Sequence, residues 1–473
     1  MMSIVQSNKE AVLEQLKLGR IDGAQIGERN FVETIIKKML EMGILDELSH
    51  VVKDKRTTGP FLADETGLIP MKLLFTLAIT AKMKVKTSMT DIPVAIDDAE
   101  LLSQLGYNLI KTSSGGTETL MTEGEYRYVF EKYTQEEFVK GYNECVQRCL
   151  LPKAEINCGI HLLDCTKIAV NFKNGNYEGS GVVKDDEGTK RGYKLSTLRG
   201  IAGDGGVIEE IRFGSIKEHD LSLSRDMILT SAVLKPGDIL INDRGFLSRE
   251  VMNKLKMERG VDTYVPLKKN MNAYDEAVRI AKMPETRWNN HPNKKRDTQK
   301  IAFVGDLGGM WESDDAKSDV PVNGCVVHDT KDGEYYVFIT TDTTKTTSQI
   351  IKAYEMRPEI EEDYRQLKDF WRLEDFKSTK LNLIMFHILC ALLGYLLFQI
   401  YVGTEEGRKY SGKSLPVILK NWKYEAQKEN YPKSVIVYAG AYFGIFPFVE
   451  FLHIYASLDL ALRAELDPIL AFA

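Results

Sequence analysis

The sequence predicts an α/β fold in which a mixed sheet is covered by helices and interrupted by a β-rich insertion. Over residues 151–267, short apolar runs and helical runs follow one another in the order β-β-β-α-β-α-β, which is typical of a layered α/β architecture. Residues 268–345 contain short strand-like runs separated by polar stretches. Residues 1–150 and 381–473 place apolar residues at helical spacing, so helical regions are predicted at both ends of the chain.

The composition is that of a globular protein. Of 473 residues, 43% are hydrophobic and 27% are charged, which excludes disorder as the general state. The formal net charge of −6 argues against a uniformly basic nucleic-acid coat but leaves room for local basic patches. Six cysteines do not make a disulfide scaffold, and the first residues do not resemble a signal peptide. A reducing cytoplasm is therefore the expected location.

The N-terminal region, residues 1–150, is predicted to be mostly helical. Helical periodicity extends over residues 30–48 and 69–86, and two shorter helices are predicted to begin at Ser88 and Asp97. Three lysines at alternating positions close the second of these segments, namely Lys82, Lys84 and Lys86. Two interpretations stay open: a helix-turn-helix-like DNA-binding unit, or a helical bundle with a solvated lysine face.

The α/β region contains strands and helices with clear end signals. Two strand-like runs at 193–214 flank the glycine-rich segment Gly203-Asp204-Gly205-Gly206, which predicts a hairpin. A helix over 248–260 is predicted to end at Gly260. The remaining predicted elements are strands within 159–170, 239–242 and 261–267, and a helix over 219–234.

A charged helix and then a long apolar helix follow the insertion. The first is predicted from Thr347 to Lys377, with Pro358 kinking or restarting it. The next 24 residues, 381–404, carry no charged side chain. By length this segment could span a membrane, but a single such segment that contains His387 is also typical of a buried core helix.

Two aspartates occupy positions where α/β proteins form sites. Asp164 lies within the first predicted strand, and Asp243 directly follows the strand Ile239–Asn242. Ligands bind at the carboxyl ends of strands in open α/β sheets, and carboxylates are ligands that Mg²⁺ prefers. A third carboxylate would complete a two-metal site for phosphoryl transfer.

The best third carboxylate is Glu361, on the charged helix. Tyr354, Arg357, Glu361 and Lys368 are separated by 3, 4 and 7 residues, so they return to nearly the same helical face. That face would present groups able to bind a metal ion and a DNA backbone. The alternative is the solvated face of an ordinary charged helix.

These residues resemble the IS4-type DDE transposases. The spacing Tyr-x2-Arg-x3-Glu-x6-Lys matches that family's signature at all four positions, and Asp243-Arg244-Gly245-Phe246 and Leu163-Asp164-Cys165-Thr166 are similar to its two aspartate motifs. The resemblance covers residues 158–400 well. It implies an RNase H-like catalytic core, split into 151–267 and 346–380 by the insertion. It also implies Mg²⁺-dependent cleavage and strand transfer of DNA through a hairpin intermediate, with two Mg²⁺ ions for which Mn²⁺ substitutes.

The resemblance also assigns roles to single residues. Asp164, Asp243 and Glu361 would be the catalytic, metal-binding triad, and Tyr354, Arg357 and Lys368 would contact DNA phosphates. An aromatic residue of the insertion would stack on a flipped base. Tyr336 is in the similar place, and its rivals are Tyr335, Trp288 and Trp311.

The implied partner is double-stranded DNA, both as the terminal inverted repeats of the element and as the target. Two element ends require two copies of the protein, so a homodimer on DNA is expected, in a prokaryotic cytoplasm and associated with the nucleoid. The basic stretches at 82–86, 268–269 and 294–300, with Lys294, Lys295 and Arg296, are candidate DNA contacts. The alternatives are a catalytically silent DNA-binding relative, another RNase H-like nuclease, and a protein anchored to a membrane at 381–404.

Overall fold

The chain divides into two compact units in the computed structural model. The first combines residues 1–138 with residues 369–473, and the second is residues 139–368. The structure describes residues 3–27, 31–56, 71–92, 95, 109–111, 117–118, 123–153, 155–185, 188–202, 205–305, 307, 320–428 and 433–470.

The N-terminal segment contains both strands and helices. Its elements are β1 (Ser3–Ser7), α1 (Lys9–Lys17), β2 (Gly23–Gly27), α2 (Phe31–Glu41), α3 (Ile44–Val51), α4 (Met71–Met83), β3 (Leu109–Lys111), β4 (Thr117–Glu118), α5 (Glu123–Phe130) and α6 (Gln135–Cys145). The short helix predicted from Ser88 is a single 3-10 turn, Met89–Asp91. The helix predicted from Asp97 lies outside the described residues.

The second unit carries the α/β region and the insertion. After a π-helical turn (Val146–Leu150), its elements are α7 (Leu151–Lys153), β5 (Ile160–Val170), β6 (Gly181–Asp185), β7 (Gly188–Ala202), β8 (Gly205–Ser215), α8 (Asp220–Thr230), β9 (Ile239–Asn242), α9 (Arg249–Arg259), β10 (Asp262–Pro266), α10 (Asn272–Ala281), β11 (Trp288–Asn290), β12 (Gln299–Val304), β13 (Asn323–Asp329), β14 (Tyr335–Thr340), α11 (Thr347–Tyr354) and α12 (Pro358–Asp369). A 3-10 turn, Arg244–Phe246, follows β9.

One large sheet runs through the second unit. Its strand order is β11-β12-β13-β14-β10-β9-β5-β7-β6, and β8 pairs with β7. β9 is parallel to both β5 and β10, whereas β7 is antiparallel to β5 and β8. The strands of the insertion extend this sheet, because β14 pairs antiparallel with β10. The α/β class is therefore confirmed.

Several local predictions for the second unit are confirmed. β7 and β8 form the predicted hairpin, with Leu195 opposite Phe213. The helix α9 ends at Gly260, which adopts the left-handed conformation with φ of 65° and is suited to it because it lacks a Cβ atom. The predicted break at Pro358 is also present, since α11 ends at Tyr354 and α12 begins at Pro358.

The C-terminal segment completes the first unit. Its elements are α13 (Leu381–Gly403), α14 (Leu415–Lys428), β15 (Ser434–Ala439), β16 (Tyr442–Pro447), α15 (Phe448–Ser457) and α16 (Leu460–Leu470), with a 3-10 turn at Gly407–Tyr410.

The prediction that both terminal regions are helical is wrong in part. The first unit contains a six-stranded sheet of order β2-β15-β16-β1-β3-β4. β1 lies parallel to β16, with Gln6 opposite Tyr442. These strands are short, and β1 and β2 are stabilised by pairing with strands more than 400 residues away in the sequence. Local periodicity therefore does not indicate them. Apolar side chains of this sheet, of α1 and of the last two helices form a shared core.

The apolar helix α13 is buried within the first unit. Phe386 stacks on Phe130 of α5 at a centroid distance of 3.8 Å. Among the described residues it is the one helix long and apolar enough to cross a membrane, and 94% of its most apolar window is buried. The interpretation of this segment as a core helix is thereby supported.

The lysine cluster at the end of α4 is not a uniformly solvated face. Lys82 is 4% exposed, and its Nζ lies 2.9 Å from Nδ1 of His387. Burial lowers the pKa of Lys82 to about 8. Lys82 is therefore removed from the candidate DNA contacts, whereas Lys86 is exposed.

Candidate active site

Two neighbouring strands deliver the two aspartates to one edge of the second unit. In the parallel pair β5 and β9, the last paired positions are Leu163 and Asn242. The residue that follows each of these positions is an aspartate: Asp164 after Leu163, and Asp243 after Asn242. Because parallel strands keep their register, the two carboxylates start from adjacent positions, as the sequence predicted.

The turn after β9 explains the residues that follow Asp243. The Asp243 carboxylate caps the 3-10 turn by accepting a hydrogen bond from the Gly245 amide at 2.5 Å. A Cβ atom on Gly245 would lie 2.9 Å from Oδ1 of Asp243. A larger residue at this position would therefore displace the Asp243 carboxylate, whose second oxygen lies 3.7 Å from Arg357.

The third carboxylate comes from the break between α11 and α12. Tyr354 is the last residue of α11, Arg357 lies in the joint, and Glu361 belongs to the first turn of α12. Proline is favoured at the first position of a helix because it has no amide hydrogen to leave unpaired there. Pro358 thus restarts the helix so that Arg357 and Glu361 still face the same side.

The Arg357 guanidinium contacts all three predicted catalytic carboxylates. Its Nη2 lies 2.9 Å from Oδ2 of Asp164 and 3.7 Å from Oδ2 of Asp243, and its Nη1 lies 2.6 Å from Oε1 of Glu361. The side chains of Arg357 and Asp164 are 18% and 13% exposed, whereas that of Glu361 is 55% exposed. We call the three carboxylates, Asp164, Asp243 and Glu361, the acidic cluster.

Electrostatics in the acidic cluster are dominated by burial of Asp164. The pKa of Asp164 is raised to about 6, chiefly by burial and also by the negative charges of Asp243 and Glu361. The positive charge of Arg357 and the Cys165 amide, which donates a hydrogen bond to Asp164, oppose that rise. Three carboxylates in one place therefore depend on positive charge for their full ionisation.

Tyr354 lies at the edge of the acidic cluster. Its ring packs against Phe338 of β14 with a centroid distance of 4.6 Å. Burial raises the pKa of Tyr354 to about 12, so the phenol stays protonated and is able to donate a hydrogen bond. The structure thus brings Tyr354, Arg357 and Glu361 together with both aspartates, as the helical spacing predicted.

Lys368, the last of the four residues predicted to share one helical face, contacts the backbone of β5. Its Nζ donates a hydrogen bond to the Lys167 carbonyl of β5 at 2.6 Å. Lys368 lies two turns beyond Glu361 on α12, so its charge lies beside β5, the strand that carries Asp164.

The structure adds residues that the sequence reasoning missed. Tyr364 donates a hydrogen bond to the Asp164 carbonyl at 2.8 Å and lies 2.6 Å from the Thr197 hydroxyl. Arg199 of β7 bonds to Asp363 at 2.6 Å and to Glu359 at 2.9 Å. These contacts fix α12 against β5 and β7. The signal available in the sequence was an arginine inside an apolar strand, which demands a buried acidic partner.

The donors of the acidic cluster fit a hard divalent cation, since all three are carboxylates. Their present spacing does not yet form a metal site: within the described part of the chain, no group of three or more acidic, histidine or cysteine side chains could hold a metal ion. The Arg357 guanidinium lies between the carboxylates instead. The chemistry of the site therefore suits Mg²⁺ once the guanidinium has moved.

The aromatic residues of the insertion divide into packed and exposed ones. Tyr335 stacks on His328 at 4.3 Å, and Trp288 meets the same His328 edge-on. Both belong to the apolar core beneath α10. Tyr336 is 43% exposed and lies on the same face of β14 as Phe338. Trp311 lies outside the described residues.

The basic stretch of the insertion lies beside the joint that carries Arg357. Glu355, directly after α11, forms an ion pair with Nε of Arg296 and accepts a hydrogen bond from Nδ2 of Asn293, both at 3.1 Å. Lys294 and Lys295 are exposed. At 268–269, Lys269 forms an exposed ion pair with Glu334.

One of the comparisons with known proteins finds a family that matches this part of the chain. No curated protein matches the chain. Residues 163–397, which span the acidic cluster, β9 to β14 and most of α13, match the family model described as the transposase DDE domain, and this part of the chain is similar to that family.

Proposed function

We propose that this chain is a DNA transposase of the IS4 type that moves an insertion sequence by cut-and-paste transposition. The observation that carries the proposal is the convergence of Asp164, Asp243 and Glu361 on one guanidinium, each within 4 Å of it. The similarity of residues 163–397 to the transposase DDE domain supports the same reaction class.

The strand arrangement supports an RNase H-like core. Across the sheet, β8, β7, β5, β9 and β10 occur in that order, so the third, second, first, fourth and fifth main strands of the core lie side by side. The first three are antiparallel and the last two continue parallel to the first. We propose that β11 to β14 are the insertion placed between the last core strand and α12.

Asp164, Asp243 and Glu361 would hold the metal ions in the reaction. Two bound Mg²⁺ ions would supply stabilisation of the attacking and leaving oxygens in an in-line phosphoryl transfer. Tyr354 would donate a hydrogen bond from its phenol to a phosphate oxygen beside the cleaved bond. Arg357 and Lys368 would add positive charge along the same edge.

The test is DNA cleavage by the purified full chain. The substrate is a labelled duplex containing the DNA that flanks the gene, and the reaction is run with Mg²⁺, with Mn²⁺ and with EDTA. We expect metal-dependent nicking at the element end, then a hairpin product, and capture of two ends by a homodimer. Specific binding without any cleavage would favour the catalytically silent relative, and cleavage without strand joining would favour another nuclease.

Replacing Tyr336 with Ala should slow hairpin formation selectively. The exposed ring lies on the β14 face that reaches Tyr354 through Phe338, and stacking on a flipped base is worth roughly 1–3 kcal/mol. We expect normal first-strand nicking and a hairpin step slowed by roughly 5- to 140-fold, which corresponds to that energy. Denaturing gels separate the two products. Tyr336→Phe keeps the ring and should behave like the wild type; equal loss of nicking and hairpin formation in Tyr336→Ala would contradict the role.

Replacing Lys294 and Lys295 with Gln should flatten the salt dependence of DNA binding. Both lysines are exposed on the loop that Glu355 holds through Arg296, and each lost phosphate contact lowers the log–log slope by about 0.9. Gel-shift titrations at several salt concentrations measure the slope. The matched control is Lys173→Gln with Lys184→Gln, because these exposed lysines lie at or near β6 on the opposite edge of the sheet. An unchanged slope in the first pair would mean that the loop does not contact DNA.

A further inference from the structure

We propose that Arg357 closes the acidic cluster in the absence of substrate, and that divalent cations enter only when its guanidinium withdraws. Arg357 would then act as a built-in competitor of the metal ions. This inference rests on the proposed function, because it takes Asp164, Asp243 and Glu361 as the metal ligands.

The contacts of Arg357 place it where a cation would have to bind. Its two terminal nitrogens bridge Asp164 and Glu361 at 2.9 and 2.6 Å and approach Asp243 at 3.7 Å. A Mg²⁺ ion needs carboxylate oxygens at about 2.0–2.1 Å, and like charges repel strongly in a partly buried site. The guanidinium and a metal ion therefore compete for these carboxylates.

The contact made by Arg357 is incomplete. Its Nε is buried and, among the described residues, has no hydrogen-bond acceptor. A buried donor without a partner costs roughly 1–3 kcal/mol, so the closed arrangement stabilises the guanidinium less than a fully satisfied site would. An incoming phosphate group offers oxygens to all the guanidinium nitrogens, including Nε.

The backbone around Arg357 allows such a movement. Arg357 belongs to the joint between α11 and α12, where the chain forms single turns: its amide donates to the Tyr354 carbonyl, and the Ile360 amide donates to the Arg357 carbonyl. The helix α12 is fixed independently of Arg357 by Tyr364 and Arg199. Withdrawal of the Arg357 side chain therefore leaves α12 in place, and the exposed Glu361 carboxylate can then turn toward Asp164.

The arrangement couples metal binding to DNA binding. A phosphate that takes up the Arg357 guanidinium vacates the carboxylates, and a cation bound to the carboxylates frees the guanidinium for phosphate. By thermodynamic linkage, DNA and the metal ion each increase the binding affinity of the other by the same factor. The consequence is a nuclease centre that assembles on DNA and stays closed away from it.

The test measures Mn²⁺ binding by the full chain without DNA. Electron paramagnetic resonance counts the free Mn²⁺ in titrations of the wild type, Arg357→Gln, Arg357→Lys, Arg365→Gln and Glu361→Gln. We expect Arg357→Gln to bind Mn²⁺ roughly 5- to 100-fold more tightly than the wild type, the usual range of coupling between sites. Arg357→Lys keeps the charge with a shorter reach and should be intermediate. Arg365→Gln is the matched control, since Arg365 forms an exposed ion pair with Glu362 on α12, and should equal the wild type.

The outcomes separate this inference from the proposed function. Equal or weaker Mn²⁺ binding by Arg357→Gln and Arg357→Lys, with binding lost in Glu361→Gln, would overturn the competition and leave the metal triad standing. Binding that is equal in every variant, or absent from all of them, would overturn the triad as well. If thermal unfolding shows that Arg357→Gln is not folded, the comparison of Arg357→Lys with the wild type decides the question.

Discussion

Replacing Asp164 with Asn should abolish DNA cleavage and leave DNA binding nearly unchanged, and Asp243→Asn and Glu361→Gln should do the same. Each substitution removes one charged metal ligand while it preserves the shape of the side chain. The three carboxylates come from β5, from the residue after β9 and from the first turn of α12, and all three lie within 4 Å of the Arg357 guanidinium. We expect each loss to slow cleavage by roughly a thousandfold or more, as for the loss of a central group that stabilises the transition state.

The measurement pairs a cleavage assay in Mg²⁺ with a gel-shift assay on the same labelled element end. Glu362→Gln is the matched control, because Glu362 neighbours Glu361 but faces Arg365 on the solvent side of α12. That variant should cut at the wild-type rate. A Glu361→Gln enzyme that still cuts at the wild-type rate would show that the triad is assigned to the wrong residues.

The strand-borne part of the site was predictable from sequence. Asp243 directly follows a short apolar run, and Asp164 lies inside another, so two buried strands that carry carboxylates could be expected to meet. The structure adds the register that aligns them, since Leu163 pairs with Asn242. Helical spacing also placed Tyr354, Arg357 and Glu361 on one face, even though Pro358 divides the helix.

The direction of Arg357 was not predictable in the same way. Spacing tells which face a side chain shares but not whether its charge meets solvent, DNA or protein. In the structure three carboxylates surround the guanidinium, because a counter-charge stabilises a partly buried group of like charges. That requirement arises only after the chain has brought residues 164, 243 and 361 together.

The sheet of the first unit was also not predictable from the sequence. β1 and β2 are five residues each, and their partners β15 and β16 lie near the other end of the chain. Short strands take their stability from cross-strand neighbours and shared burial. Since those neighbours are far away in sequence, the local pattern carried no information on the pairing, and helices were predicted instead.

Replacing Arg199 with Met should destabilise the second unit and displace α12. Arg199 is 5% exposed and bonds to Asp363, whose side chain is 7% exposed, and to Glu359, which is 45% exposed. Removing one partner of a buried ion pair takes a counter-charge away from the other and costs about 3–5 kcal/mol. Nearly all of that cost should come from Asp363, because water screens the Glu359 contact. Loss of this anchor also loosens the helix that carries Glu361, so cleavage should fall with stability.

Urea unfolding followed by far-ultraviolet circular dichroism measures the change in the free energy of unfolding. The double variant Arg199→Met with Asp363→Leu replaces the buried pair by apolar side chains and should recover most of the loss, because such replacements are often neutral. Arg191→Met is the control on the same strand, since the side-chain hydrogen bonds of Arg191 to other described residues are two long ones of 3.4 Å near the surface, and it should change stability by less than about 0.5 kcal/mol. If Arg199→Met were as stable as the Arg191 variant, the ion pair would not anchor α12. If the double variant recovered stability but not cleavage, the charged pair itself would be needed to place Glu361 against the two aspartates.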